Sequence, residues 1–456
     1  MPSDPALHAN QFALLKQRKF YPLFWTQFGG AFNDNFYKSA LMMLFTYGAI
    51  ERWGLSVDVL NNLVAAALII PFLLFAPIAG QYVDSLDKAR VARVIKLGEV
   101  AVMLLGAVAM WLGSSALLLL VIFATGVQSA CFSPVKYAIL PQHVEAKQLT
   151  GANGVLHSGT SLAVFAGLIC GTLILQVSGG QLVVAVGGVL VAWAGWRFSR
   201  HIPAAPASSD ASPVVRNPLR LMQRTVGYAS ENKTVFWSIV GFSWYWFLGS
   251  VYLTQLPNFA RTVLMGQASS VTFLLVAFLF GVCGGALLCE KLSRKQLEPA
   301  LVPLGGILIA VLGFDIALAG QSFYARYQLD TTEQLFTLGQ LLTKLEFWRV
   351  AMDVLLLGIA GGLYSVPLQA LMQHHARNER RGQIIAANNV FNALFMIASS
   401  ISAVVFLGQL DFTIPHFFML TVALHLTVLL LLLWREPVFF QRVKLRVNEL
   451  IIRPTS

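Results

Sequence analysis

The sequence predicts an all-α polytopic membrane protein, with 12 transmembrane helices arranged as two six-helix halves. Three observations predict it. The chain of 456 residues is 57% hydrophobic and only 12% charged, outside the range of a soluble globular domain. Apolar windows long enough to cross a ~30 Å hydrocarbon core recur about twelve times. A basic segment rich in Pro, Ala and Ser then divides those windows evenly. Helices are the expected spanning form, because each satisfies its own backbone hydrogen bonds in lipid.

In chain order the windows centre in residues 20–50, 57–83, 90–113, 115–141, 151–175 and 180–200, then 234–260, 266–289, 298–320, 348–373, 382–407 and 413–434. This gives an N-terminal half over 1–200, a linker over 201–233, a C-terminal half over 234–434 and a tail over 435–456. The opening "MPSDPALHANQFALLKQRKF" lacks the charged, apolar, small-residue order of a secretory leader, so the first span is expected to serve as the insertion signal. Cys131, Cys170, Cys283 and Cys289 fall inside apolar windows without metal spacing and read as packing residues. No disulfide, metal site or cofactor is expected.

The net charge of +11 invites a nucleic-acid reading, but its placement argues against one. Counting connections alternately, one side holds 25 of the 32 Lys and Arg: Lys16 to Lys19, Lys88 to Lys96, Lys147, Arg197 to Lys233, Lys291 to Lys295, Arg377 to Arg381 and Arg435 to Arg453. The other side holds Arg52, Arg261, Arg326, Lys344 and Arg349. By the positive-inside rule both termini are then cytoplasmic, which requires an even number of spans. Lys38 and Lys136 are left over, both inside helices.

The halves resemble one another. "GVQSACFSPVKYAILPQH" (126–143) aligns without gaps to "GIAGGLYSVPLQALMQHH" (358–375), matching Gly126 to Gly358, Phe132 to Tyr364, Ser133 to Ser365 and Ala138 to Ala370. Downstream, "GANGV" (151–155) matches "AANNV" (386–390). Two related six-helix halves are the signature of the major facilitator fold. The loop "GQYVDSLDKARVARVIK" (80–96) also resembles that superfamily's pattern of Gly, Asp and basic residues, through Gly80, Asp84, Lys88 and Arg90. Acid and base at these helix ends suit a gate that pairs across the cytoplasmic face and near helix termini. The plainer alternative is a stop-transfer charge cluster.

The most informative residues are polar ones inside the windows. Asp34 lies near the middle of the first, where an ionised group costs roughly 2.5–3.5 kcal/mol and should face the bundle interior. Lys38 follows one turn later on the same face, in the favourable order for an intrahelical pair. Two readings stay open: an ion pair that fixes the helix, or a headgroup or ion site. Lys136, between Pro134 and Pro141, either snorkels to the cytoplasmic surface or attracts a phosphate as a point charge. Leu368 takes its place in the other half, so the charge is specific to one half. Asn35, Gln27, Gln128, Asn153, Gln255, Asn258, Gln369, Asn388, Asn389, Asn392 and Glu99 add uncharged and acidic groups, which either bond between helices or line a polar path.

In "TVFWSIVGFSWYWFLGSVYLTQLPNFARTV", Trp237 suits an interfacial belt, and Trp244, Tyr245 and Trp246 are expected deeper, lining a cavity. Apolar walls beside few charges suit an amphiphile more than a sugar. "NPLRLMQRTVGY" reads as either a short surface helix or an irregular loop. Phe439 to Ile452 alternates basic and apolar residues as an amphipathic helix on the anionic leaflet would. No nucleotide fingerprint, nucleophile elbow, HExxH or acyltransferase-like His-Asp motif appears, so no enzyme is expected.

Through "QFGGAFNDNFYKSAL", "GQYVDSLDKARV", "SPVKYAILP" and "GANG", the chain resembles the bacterial lysophospholipid transporters of the major facilitator superfamily. It is most similar to the transporter half of proteins in which that module is fused to an acyltransferase. The resemblance implies inward movement of lysophospholipids, such as lysophosphatidylethanolamine, across the bacterial inner membrane for re-acylation. It implies that Asp34 is the family's first-span acid and Lys136 its fourth-span base. The stand-alone transporters carry a deep Arg in the seventh span, whereas Thr234 to Ala260 holds no base, leaving Tyr252 and Gln255 as polar candidates. The chain ends at Ser456 without an acyltransferase, so any such partner is expected to be a separate chain.

The expected substrate-binding set is therefore Asp34, Asn35, Lys38, Gln128, Lys136, Tyr252, Gln255 and Asn388, with Gly80, Asp84, Lys88 and Arg90 as the gating set. Expected partners are a lysophospholipid, membrane lipids and a separate acyltransferase, with no nucleic acid. Two other functions fit the same fold. One is a proton-coupled exporter of drugs or siderophore-like metabolites with Asp34 as the coupling acid. The other is a membrane scaffold that docks an acyltransferase through the linker and tail.

Overall fold

Apolar runs in lipid must close their backbone hydrogen bonds internally, and the computed structural model of the chain is helical wherever the sequence is apolar. It describes residues 11–441 apart from 47–49, 52, 55–56, 176, 208–214, 216, 294–295 and 328–334. After a 3-10 turn at Gln11–Lys16 come α1 (Tyr21–Thr46), α2 (Val57–Ser85), α3 (Lys88–Leu112), α4 (Ser115–His143), α5 (Leu149–Ile174) and α6 (Gly180–Ser199). A short α7 (Pro218–Ser230) precedes α8 (Lys233–Thr262), α9 (Ala268–Leu292) and α10 (Leu301–Tyr327). A single turn, α11 (Leu338–Leu342), leads to α12 (Leu345–His375), α13 (Arg381–Ala403) and α14 (Ile414–Arg435).

Among the described residues, 12 of these helices have at least 20 residues, and 10 are apolar and long enough to cross a membrane. The other two are α1, which carries Asn33-Asp34-Asn35 and Lys38, and α8, with its run of Trp, Tyr, Ser and Thr. The spans that fall short in apolarity are thus the ones with unusual side chains.

Local sequence explains the helix ends. Asp87 accepts from Arg90 N at 2.8 Å and starts α3, while Gly113 ends it with a left-handed φ of 63°. Ser114 then caps α4, and Thr413 with Pro415 opens α14. The segment left open as helix or loop is helix α7. The expected tail helix, Phe439 to Ile452, lies mostly outside the described residues.

The chain forms two compact units: Met1–Asn232 with Gln373–Ala393, and Lys233–Met372 with Leu394–Ser456. The division at Asn232 falls within the expected linker, but the segment Gln373–Ala393 groups with the first unit. In the first unit α1 packs on α5 and α6, α2 on α4, and α3 on α4 and α6. In the second, α10 packs on α14, and α8 on α9 and α14.

The glycines matched by the repeat do the same job in each unit. A Cβ on Gly126 would stand 2.6 Å from the Leu68 carbonyl of α2, and one on Gly358 would stand 2.5 Å from the Phe278 carbonyl of α9. Both helices therefore approach a neighbour backbone to backbone, which only glycine permits. The second unit's core is aromatic. Trp244 stacks on Phe247 at 4.5 Å between centroids, and Tyr252 and Phe259 both pack on Phe418.

That core corrects one expectation. Trp244 is part of it: the side chain is 6% exposed and donates through Nε1 to His425 Nδ1 at 2.9 Å. His425, fully buried, is bonded on its other side to the Gly306 carbonyl at 2.8 Å. With Nδ1 accepting, Nε2 must carry the hydrogen, so the imidazole is neutral and locked. Trp246, by contrast, faces outward.

Candidate functional site

In the first unit, polar side chains from α1, α3 and α4 converge on a buried network. Its centre is an ion pair on α3, Lys96 Nζ to Glu99 Oε2 at 2.6 Å, with side chains only 1% and 2% exposed. Gln128 Nε2 of α4 donates to Glu99 Oε2 at 3.1 Å. Asn33 Nδ2 of α1 reaches Glu99 Oε1 at 3.4 Å and the Gly188 carbonyl of α6 at 3.3 Å. The Lys96 ammonium also stands 4.4 Å from the centroid of the Phe132 ring, a cation–π contact that matters more when both groups are dry. Gly30 of α1 makes room for it, because a Cβ there would collide with Lys96 Nζ.

Lys96 was expected among the cytoplasmic loop charges. It lies within the third window, 90–113, and two turns inside α3, which begins at Lys88. The signal lies in helical phase. Lys88, Ala89, Ala92, Lys96, Glu99, Met103 and Gly106 are all buried, while Arg90, Val94, Leu97 and Val108 are exposed. Lys96 and Glu99 therefore share the small-residue face, where they can afford burial only as a pair.

Asp34 extends the network. Ser129 of α4 donates to Asp34 Oδ2, and its Oγ is also 3.1 Å from Gln128 Oε1. Asp34 Oδ1 is buried without a hydrogen-bond partner. Lys38 and Lys136 both lie within electrostatic reach of Asp34, yet neither forms an ion pair with it. The Lys38–Asp34 ion pair is therefore not made. Lys136 lies over the ring of its neighbour Tyr137, at 4.8 Å from Nζ to centroid. One acid oxygen thus has no hydrogen-bond partner, and two ammonium groups have no ion pair, beside a pair that neutralises itself.

The other expected binding residues are placed differently. Asn35 turns back on its own helix, donating to the Ala31 carbonyl at 2.9 Å. Asn388 is buried with its Oδ1 unpartnered, whereas its neighbour Asn389 accepts from Ser133 Oγ at 3.1 Å. Asn153 exchanges two hydrogen bonds with Gln373, at 2.9 and 3.1 Å. Tyr252 and Gln255 are buried in the second unit, with the Tyr252 hydroxyl and Gln255 Oε1 unpartnered. The first unit's network includes neither. Ser129 and Lys96 are the members that spacing alone missed.

The gating set also gains a geometry within the first unit. Asp84 caps α13, accepting from Gly382 N at 2.6 Å and Gln383 N at 3.1 Å. Gly80 permits the approach, since a Cβ would stand 2.7 Å from the Gly382 carbonyl. Lys88 is buried and donates to the Pro206 carbonyl at 3.0 Å. Arg90 is exposed, and only its backbone N–H joins the cluster, as the Asp87 cap. Arg93 reaches the Ile202 carbonyl at 3.0 Å. The acid therefore holds a helix terminus, and the bases hold the linker.

Comparison with known proteins bears on this arrangement. The family profile described as Major Facilitator Superfamily matches residues 23–400. Proteins named lysophospholipid transporter LplT are similar over most of the chain. The one from Klebsiella pneumoniae is 28% identical over 385 residues, covering 81% of this chain and 84% of its own. The one from Serratia proteamaculans is 28% identical, covering 82% and 85%. Among solved structures, the human organic anion transporter MFSD10 (TETRAN) superposes with a TM-score of 0.69 at 15% identity, covering 91% of this chain and 99% of that one. A bacterial homologue of the iron transporter ferroportin gives 0.66 at 14% identity, covering 92% and 99%. At those identities the likeness is one of fold.

Proposed function

The chain belongs to the major facilitator superfamily, and from that premise we propose that it is a lysophospholipid transporter. It moves lipids such as lysophosphatidylethanolamine from the outer to the inner leaflet of the bacterial inner membrane, where re-acylation consumes them. Both termini are cytoplasmic in this reading, as the distribution of Lys and Arg favours. The acyltransferase is a separate partner.

The observation that carries the proposal is the uncommitted trio. Asp34 keeps one carboxylate oxygen without a partner, and neither Lys38 nor Lys136 is ion-paired. A zwitterionic headgroup needs this set: a carboxylate for its ammonium and ammonium groups for its phosphodiester. The names of the similar proteins support the same substrate class. Leaving charges unpaired in the membrane is costly unless a ligand completes them. Lys96 and Glu99, already neutralised by each other, brace Asn33 and Gln128 around the site. Asp84 at the start of α13 acts as a releasable clasp in the transport cycle.

The test is uptake of a labelled lysophospholipid into vesicles containing the purified chain, with Asp34→Asn and Lys136→Ala alongside. Loss in both variants supports the headgroup roles. Uptake that survives Lys136→Ala removes the phosphate role. A wild-type protein that moves no lysophospholipid defeats the proposal and leaves the exporter or the scaffold.

A further inference from the structure

Gln27 of α1 is 2% exposed, and its Nε2 has no hydrogen-bond partner among the described residues. Buried side-chain amides are normally bonded, so an unpaired N–H2 inside a helix bundle calls for a cause. The other end of the amide is held. Thr160 of α5 donates through Oγ1 to Gln27 Oε1 at 2.7 Å. The same hydroxyl lies 2.8 Å from the Leu156 carbonyl, but that carbonyl already accepts within its own helix, so the single hydrogen serves the amide. Gln27 is thereby oriented with its N–H2 as the unpaired end.

The packing of α1 on α4 brings Lys136 to the same level. The Lys19 carbonyl, just before α1, lies 3.0 Å from His143 Nδ1 at the end of α4, and further along Ser129 bonds Asp34. Numbers rise along one helix as they fall along the other, so the two run antiparallel. From the Asp34–Ser129 contact, Gln27 lies seven residues back on α1 and Lys136 seven residues on along α4, each about 10 Å in the same direction. His157, one turn before Thr160 on α5, is within electrostatic reach of Lys136. Lys136, His157 and Thr160 are half-buried, so the cluster can be reached from their side.

These four side chains bring one base, an amide, a hydroxyl and an imidazole, and no acid. That composition recognises an anion and offers an ammonium no counter-charge. We propose that Gln27, oriented by Thr160, completes a phosphate subsite with Lys136 that holds the phosphodiester of the lysophospholipid. The inference rests on the substrate class proposed above and assigns it two further residues. Lys136 attracts as a point charge, without direction. Gln27 supplies the direction, by donating from Nε2 to a phosphate oxygen, and Thr160 is the positioning residue. An amphiphile with the same tail and a neutral head would leave both the base and the amide unanswered.

The experiment displaces radiolabelled lysophosphatidylethanolamine from the full chain in nanodiscs. The competitors are unlabelled lysophosphatidylethanolamine, the monoacylglycerol with the same acyl chain, and inorganic phosphate. In the wild type the phospholipid should compete at least tenfold better than the other two. Gln27→Leu should weaken the phospholipid about tenfold, equivalent to ~1.4 kcal/mol, and leave the monoacylglycerol unchanged. Thr160→Val should weaken it about threefold, and Thr160→Ser, which keeps the hydroxyl, should restore it. Should the leucine variant fail to fold, Gln27→Asn, with the amide drawn back by one methylene, carries the test through the same ratio. Equal weakening of phospholipid and monoacylglycerol would reduce Gln27 to packing and overturn the subsite. Inorganic phosphate competing as well as the phospholipid would overturn the lipid as its source. Vesicle uptake measured alongside separates this inference from the transport reading. Uptake intact in the wild type with an unchanged competitor ratio in Gln27→Leu overturns the subsite alone. A chain that moves no lipid, yet loses phospholipid binding in Gln27→Leu as expected, supports the subsite and defeats only the transport reading.

Discussion

The two units use the same helix crossings to opposite chemical ends. Gly126 and Gly358 are matched by the repeat, and each brings its helix onto a neighbour's backbone. One turn on, the paths part. Gln128 and Ser129 of α4 fall opposite Ala360 and Gly361 of α12, and Lys136 opposite Leu368. Phe132 holds an ammonium against its ring, whereas its counterpart Tyr364 meets the neutral imidazole of His425. One unit thus gathers charge around a dry pair, and the other fills the same kind of space with aromatic rings. The glycine crossing is common to both units, and the side chains around it are what set their interiors apart.

The sharpest way to break this contrast is to unpair the buried charges. Lys96→Ala or Glu99→Ala alone should destabilise the protein by roughly 3–5 kcal/mol, because the survivor is left buried without its counter-charge. Thermal unfolding in detergent reads it. The double variant Lys96→Met with Glu99→Leu should recover most of that stability while uptake stays lost. A double variant that transports normally would reduce the network to mere packing. Next in size, Gly126→Val and Gly358→Val should each cost about 1–3 kcal/mol through overpacking against a backbone carbonyl. Similar penalties would support a shared crossing, and a tolerant Gly358 would deny it.

A smaller effect is expected in the aromatic unit. His425→Phe removes the acceptor for Trp244 and should cost about 1–3 kcal/mol of stability through an unsatisfied donor. Uptake by the folded fraction should stay near wild type. A collapse of transport with stability intact would mean that the second unit also carries chemistry. Smallest of all, Asp84→Ala should cost about 1 kcal/mol for the lost cap on α13, with Asp84→Asn losing less. Equal losses in the two variants would point to charge rather than hydrogen bonding.

Much of this was legible in the sequence, for identifiable reasons. Membrane helices announce themselves by length and apolarity, and a charge such as Asp34 stands out because lipid tolerates so little of it. Lys96 did not stand out, because a base near a helix end beside Lys88, Arg90 and Arg93 looks like part of a solvated run. Only the burial phase of α3 separates it from them. The Asp34–Lys38 spacing was read correctly as one helical face, but spacing says nothing of a neighbour. Ser129 on α4 reaches Asp34 first, and Lys38 is left without the pairing that its position invites. Trp244 likewise went from cavity wall to core because its partner, His425, lies 181 residues away.

The space left by Gly30 has a consequence for how such a protein can change over generations. The Lys96 ammonium occupies the volume that any larger residue at position 30 would claim, so the two sites are not free to drift independently. A larger residue at position 30 would push the flexible tip of Lys96 aside and loosen its contact with Glu99, so a change at one site alters what is favoured at the other. Among related sequences, a side chain larger than hydrogen at the position of Gly30 should therefore travel with a short or uncharged residue at the position of Lys96.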